Sequence, residues 1–226
     1  MAEWTGAAYF DLDGTLLDGR SELTFYRRFS RTTSASRRLT IPFRWLSGVL
    51  RSLLSGRAPY DAFRNRRYIH GMPWAEICAM SEKVVAEDLP DRVSDAARVR
   101  IEWHREQGHR IVLLSATLQP LCDAFAEQLG MHASIASLPT IDEQGRVMGH
   151  ERSGRFPRRR GKLPIMLADA KEHGIELSDC WGYGNEHADS FFMEACGHPE
   201  AVNPSSKLRR LAEAEGWLIH SWKREG

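Results

Sequence analysis

The segment Tyr9-Phe10-Asp11-Leu12-Asp13-Gly14-Thr15-Leu16-Leu17 states the architecture and the chemistry of this chain together. Ala7 to Phe10 is a short apolar run of the kind that fills a buried strand, and it passes directly into two carboxylates one residue apart. Side chains of an extended chain repeat every two residues, so Asp11 and Asp13 point to the same side. Gly14 allows a sharp turn there, with N–H groups of Gly14 and Thr15 left to meet an anion. Hard cations bind oxygen ligands, so the same few residues offer carboxylates to a metal and N–H donors to a phosphate. Taken alone, the string also reads as a buried strand ending in an acidic turn.

The strand theme returns downstream. Ile111-Val112-Leu113-Leu114-Ser115 is a continuous apolar run, Ala133 to Leu138 and Cys180 to Gly184 are further strands, and Ala201-Val202 and Trp217 to Ser221 supply short ones. Between them lie helical patterns: Asp95 to Gln107 with Ser94 as its cap and Gly108 as its stop, Gln119 to Leu129, Lys162 to Glu172, Asp189 to Ala195, and Ser206 to Glu215. Asp142 to Arg146 has the composition of a hairpin turn. Strands alternating with helices predict an α/β fold with a doubly wound parallel sheet.

Residues 18–90 break this alternation. Apolar residues recur at helical spacing from Glu22 to Phe29, then from Ile41 to Leu54 with Pro42 near the first turn, from Tyr60 to His70, and from Trp74 to Glu87. The polar stretch Arg31 to Ser36 reads as a loop. This segment is expected to be an all-helical insertion, with residues 1–17 and 91–226 forming the core.

Ligands of such sheets bind at the carboxyl ends of the strands. Four of these ends carry reactive side chains: Asp11 and Asp13; Ser115-Ala116-Thr117, with a hydroxyl and N–H groups for a phosphate oxygen; Lys162 after a glycine; and Asn185 to Asp189 after Tyr183-Gly184. Each has a plain alternative: Ser115 as a helix N-cap, Lys162 as a solvated lysine, the last as an acidic turn.

In order and spacing the four stations resemble the motifs of the haloacid dehalogenase superfamily, beginning with its Asp-x-Asp-Gly-Thr-Leu string. The resemblance implies a phosphatase in which Asp11 is the nucleophile and Asp13 the general acid/base. It implies that Ser115 binds the phosphate and that Lys162 offsets carboxylate charge, with Gly14, Thr15 and Ala116 adding phosphate contacts. It further implies magnesium (Mg2+) held by Asp11, the Asp13 carbonyl, Asn185 and Asp189. The insertion directly after the first motif, with Ala201-Val202-Asn203-Pro204 and the tail behind it, resembles subfamily IB, the phosphoserine-phosphatase-like branch. Asn185 is a departure, because the family usually has an aspartate there. An amide carbonyl can still coordinate magnesium, but the site is one negative charge weaker. Glu186 or Asp189 is expected to compensate; the other reading is a phosphate-binding module with weakened turnover.

Composition narrows the partners. The 226 residues carry a net charge of +1, yet Arg20 to Arg67 contains twelve arginines against Glu22 and Asp61, a balance of +10 that suits an anionic substrate. Ile41 to Leu54, with Trp45 and flanking Arg37, Arg38, Arg44 and Arg51, has the make-up of a cap helix and also of an interfacial amphipathic helix, which leaves a lipid phosphate as an alternative substrate. Arg155 to Arg160 lacks the aromatic platform of a nucleic-acid site and reads as a solvated loop. His104, His109 and Trp103 read as packing residues. Four scattered cysteines, the absence of a basic-then-apolar leader and the lack of a spanning apolar run point to a cytoplasmic protein, and the resemblance implies that it acts on a small phosphate ester.

Overall fold

The computed structural model describes residues 4–54, 66–89, 91–148 and 155–222. Its central strand, β1 (Ala7–Phe10), has no solvent-exposed residue. It pairs in parallel with β2 (Arg110–Leu118) on one side, Phe10 opposite Leu113, and with β4 (Cys180–Gly184) on the other, Phe10 opposite Tyr183. With β3 (Ala133–Ser137), β5 (His198–Val202) and β6 (Leu218–His220) the sheet has six strands in the order β3-β2-β1-β4-β5-β6, all parallel.

The two-residue period of β1 sends its side chains into two separate cores. Ala8 and Phe10 pack with Ile111 and Leu113 and with residues of α4 (Asp95–Glu106) and α5 (Gln119–Gln128). Ala7 and Tyr9 pack with Val112 and Leu114 and with residues of α6 (Lys162–Glu172), α7 (Ser190–Met193) and α8 (Ser206–Glu215). Helices thus cover both faces, and the sheet is doubly wound. Ser94 caps α4 as its sequence implied, its hydroxyl accepting from Ala97 N at 3.2 Å.

Between β1 and α4 lie α1 (Ser21–Thr32), α2 (Ala35–Leu54) and α3 (Trp74–Lys83), the last continuing into a π turn at Val84–Asp88. Two expectations are corrected here. The polar stretch from Arg31 is not a loop of six residues: α1 runs on to Thr32, and Ser34 accepts from Arg37 N at 3.3 Å, which starts α2 at Ala35. Pro42 consequently sits inside α2 rather than in its first turn. The helix expected from Tyr60 falls largely outside the described residues; its end is a single 3-10 turn, Arg67–Ile69.

The expected turn at Asp142 is present, with Asp142 Oδ1 accepting from Gln144 N and Arg146 N. Its far strand pairs with the segment before α3, through Gly71 N to Val147 O at 2.8 Å and Val147 N to Met72 O at 2.9 Å. β2 also extends past Ser115 to Leu118, with a register shift against β3 between Leu114 and Leu118. Arg155, Arg159 and Arg160 are exposed, and the Arg155 guanidinium also donates to Ala136 O at 3.0 Å and Gln119 Oε1 at 2.6 Å.

Candidate active site

The chain runs from β1 outward through β2 to β3, then returns to β1's other side with β4, so the topological switch lies between β1 and β4. The crevice at the carboxyl ends of those two strands is where such sheets hold ligands. Asp11 follows β1 at once, and its N–H is still laddered to Tyr183 O at 2.9 Å. Asn185 follows β4 at once, and Asp189 closes the short 3-10 turn His187–Asp189.

A lysine from a third element joins the two strand ends. Lys162, first residue of α6 and buried, donates from Nζ to Asp11 Oδ1 at 2.6 Å and to Asp189 Oδ1 at 2.7 Å. Thr15 Oγ1 lies 3.3 Å from Asp11 Oδ2 and 3.4 Å from Asn185 Oδ1, so the carboxylate and the amide oxygen flank one hydroxyl. Gly14 has a φ of +84°, and a Cβ there would stand 2.1 Å from Asn185 Nδ2, so the turn and the close approach of Asn185 both require glycine.

Asp13 is held separately. Its Oδ1 accepts from Ser21 N at 2.8 Å and its Oδ2 from Thr117 Oγ1 at 3.1 Å. Ser115 is buried in β2, and its hydroxyl accepts from Thr117 N at 3.2 Å; α5 begins only at Gln119, so Ser115 is not that helix's cap. The register that sets Phe10 beside Leu113 brings Ser115 to the same edge as Asp11. The Ala116 carbonyl accepts from Ser137 Oγ at 2.7 Å and from Arg66 at 2.8 Å.

The charges do not balance. Burial, with Asp189 and Asp13 nearby, pushes the Asp11 carboxyl up to about 7 against the opposing pull of Lys162. Burial also raises Asp13, although its hydrogen bonds from Ser21 and Thr117 act the other way. Lys162 is raised above its ordinary value, its two carboxylate partners outweighing its burial. Two carboxylates, Asp11 and Asp189, face one ammonium. The oxygens of Asp11, Asn185 and Asp189 are hard donors in a site short of positive charge, which is the chemistry a divalent ion such as magnesium fits. Glu186 does not turn toward them: it forms a reciprocal capping box with Asp189.

Three contributors carried no signal by spacing. Arg66 is buried with a φ of 47° and grips Glu22 through two bonds, 2.6 and 2.9 Å, while also reaching Ala116 O. Thr117 was legible only as part of its Ser-Ala-Thr group. Asn203 Nδ2 donates to Gly14 O at 3.2 Å and steadies the turn from β5's end.

The fold and this site define a hydrolase. Residues 8–194 match the haloacid dehalogenase-like hydrolase family, and the chain belongs to it. Its relatives include a phosphoserine phosphatase. It is 27% identical over 226 residues to phosphoserine phosphatase SerB1 of Mycobacterium tuberculosis, which spans 97% of this chain and 71% of that protein. It is 29% identical over 223 residues to the inhibition of morphological differentiation protein of Streptomyces azureus, covering 96% and 79% of the two. A protein of unknown function from Bordetella pertussis has the same fold, with a TM-score of 0.79 at 24% identity over 96% of this chain and 98% of that one. So has a phospho-aspartyl intermediate analogue of phosphoserine phosphatase, with a TM-score of 0.63 at 16% identity over 98% and 95%.

Proposed function

We propose that the chain hydrolyses a small phosphate monoester through an aspartyl-phosphate on Asp11. The observation that carries this reading is Lys162 Nζ bridging Asp11 and Asp189 at the switch between β1 and β4. Lys162 pulls Asp11 toward its anionic, nucleophilic form and offers positive charge to a phosphoryl oxygen. The Ser115 hydroxyl, which only accepts from Thr117 N, has its proton to donate to a further oxygen; the Gly14 and Thr15 N–H groups, expected from the sequence to meet the phosphate, are instead taken up by Leu17 O at 2.8 Å and Leu12 O at 3.2 Å. Asp11 attacks phosphorus, the ester P–O bond breaks, and the proton on Asp13 passes to the departing oxygen. Asp13, its pKa raised by burial, suits the acid role; once ionised it takes a proton from water, whose oxygen attacks phosphorus and releases inorganic phosphate.

Asp11, the Asp13 carbonyl, Asn185 and Asp189 would hold magnesium. When bound, that ion supplies charge that screens the repulsion between a carboxylate nucleophile and an anionic ester.

The substrate is proposed to resemble phosphoserine. Glu22, whose side chain is 30% exposed, and Arg66 form a carboxylate–guanidinium pair beside Ala116 and one residue from the Ser21–Asp13 contact. Opposite charges at that spacing complement an ammonium and a carboxylate on one small molecule. We assign residues 18–90 as the cap that brings this pair to the core formed by residues 1–17 and 91–226. The test is hydrolysis of p-nitrophenyl phosphate and phosphoserine with magnesium and with chelator. Magnesium-dependent release of phosphate that chelator abolishes is expected. Silence on a panel of phosphomonoesters from folded protein would favour a phosphate-binding module instead.

A further inference from the structure

α2 presents an apolar face that no described part of the molecule covers. Leu39, Phe43, Leu46, Leu50, Leu53 and Leu54 are each between 55% and 81% exposed. At 3.6 residues per turn these positions fall within an arc of about 100°, one continuous stripe along a helix about 30 Å long. The opposite side of the helix is the one that docks. Ile41 packs against the core, Gly48 is buried, and Arg37 and Arg44 donate to His70 O at 2.5 and 3.0 Å. The stripe therefore faces away from the protein. Monomeric soluble proteins rarely leave so large a contiguous patch without an interaction partner.

Charge selects the partner. Residues 20–54 contain eight arginines and a single acid, Glu22, which is already paired with Arg66. Arg20, Arg27, Arg31 and Arg38 are exposed on this helical hairpin. A second copy would bring an equally cationic hairpin against this one, so like charges oppose self-pairing. None of the described helices is long and apolar enough to cross a membrane, so α2 would lie in the plane of a surface rather than span it.

We propose that α2 is a peripheral anchor that lays its apolar stripe into the headgroup–acyl boundary of a bilayer rich in anionic phospholipid. The apolar face supplies insertion and the arginines supply attraction to the surface. This attachment is independent of the catalytic reading, because no residue of the stripe touches Asp11, Asp13, Ser115 or Lys162.

Co-sedimentation of the full chain with vesicles tests it. Vesicles of phosphatidylcholine mixed with an equal part of phosphatidylglycerol should bind at least about tenfold more tightly than phosphatidylcholine alone, and added sodium chloride should weaken that binding. Phe43→Glu with Leu50→Glu should lower the affinity about tenfold or more, with unchanged circular dichroism and melting because both side chains are exposed. Should that pair fail to fold, Leu39→Ser with Leu46→Ser takes its place, and the lipid and salt comparisons on the unaltered chain need no variant. Equal binding to both vesicles, or binding to neither, overturns the proposal. So does a dimer in light scattering that the same substitutions dissociate, which would assign the stripe to a second copy.

Discussion

Two buried polar clusters flank β4, and we assign the reaction to only one of them. At the strand's carboxyl end, Asp11, Asp189 and Lys162 converge with charge left over. The other centres on Tyr183, whose hydroxyl accepts from Arg100 Nε at 2.7 Å and pairs with His104 Nε2 at 2.9 Å. Arg100 continues to Glu200 at 2.5 Å, Glu200 to His220 at 2.6 Å, and His104 Nδ1 to His109 Nδ1 at 2.7 Å. Trp181 stacks between His109 and His198. This second cluster is more elaborate and its His104 is strongly perturbed, yet its groups are matched donor to acceptor. Perturbed titration marks candidates, but unmatched charge at a strand's carboxyl end is what separates a reaction centre from a structural knot.

The contrast can be broken from either side. Lys162→Met should lower kcat by about a hundredfold or more, since one charge-stabilising group in a desolvated site is worth that much. It should also destabilise the fold by about 3 kcal/mol or more by leaving two buried carboxylates facing each other. Initial rates normalised to the folded fraction separate the two effects. Glu200→Gln should do the opposite. Arg100 loses its counter-charge, and after allowing for the 25% exposure of the Arg100 side chain the cost is about 2–3 kcal/mol, read as a lower melting temperature. The kcat of the folded Glu200→Gln enzyme should stay within about twofold of the unaltered chain. A large kcat loss there would mean that the knot belongs to the site after all.

The smallest effect concerns pH. Burial, with Arg100 and His109 nearby, pushes His104 down to about 2, and burial also lowers His109. His104 is neutral when folded and His109 is harder to protonate than in the unfolded chain, which binds a proton on each below about 6.5. Their contribution to stability is therefore complete above pH 6.5 and is lost as pH falls below it, by up to about 1.4 kcal/mol per pH unit for His104. In a chain of this size that is about 3 °C per unit. Melting curves between pH 7.5 and 5.5 should show this slope, and His104→Gln should flatten it. An unchanged slope in the variant would place the effect elsewhere.

How much of this was legible beforehand follows the same division. Doubly wound architecture came from short apolar runs alternating with capped helices, because β1 and β2 are buried on both faces and advertise it in Ala7–Phe10 and Ile111–Leu114. Asp11, Asp13, Ser115, Lys162 and Asp189 could be named because each lies at or near a strand's carboxyl end or opens a helix and falls on a motif of the family that the sequence resembles. Arg66 and Glu22 could not, since their pairing joins residues 44 apart through an arginine in a left-handed conformation. The α1–α2 junction was misjudged because Ser and Thr favour loops and caps alike, and here Ser34 serves as a cap for α2. The knot around Tyr183 left no local pattern at all: its members come from α4, the turn before β2, β4, β5 and β6.

The central claim is a covalent one, and trapping tests it most directly. Brief incubation with a radiolabelled phosphate monoester, followed by acid quench and proteolysis, should place the label on the peptide that contains Asp11. Hydroxylamine should remove that label, and Asp11→Asn should show neither label nor turnover. Steady hydrolysis with no label on Asp11, or turnover by Asp11→Asn at close to the original rate, would contradict the account.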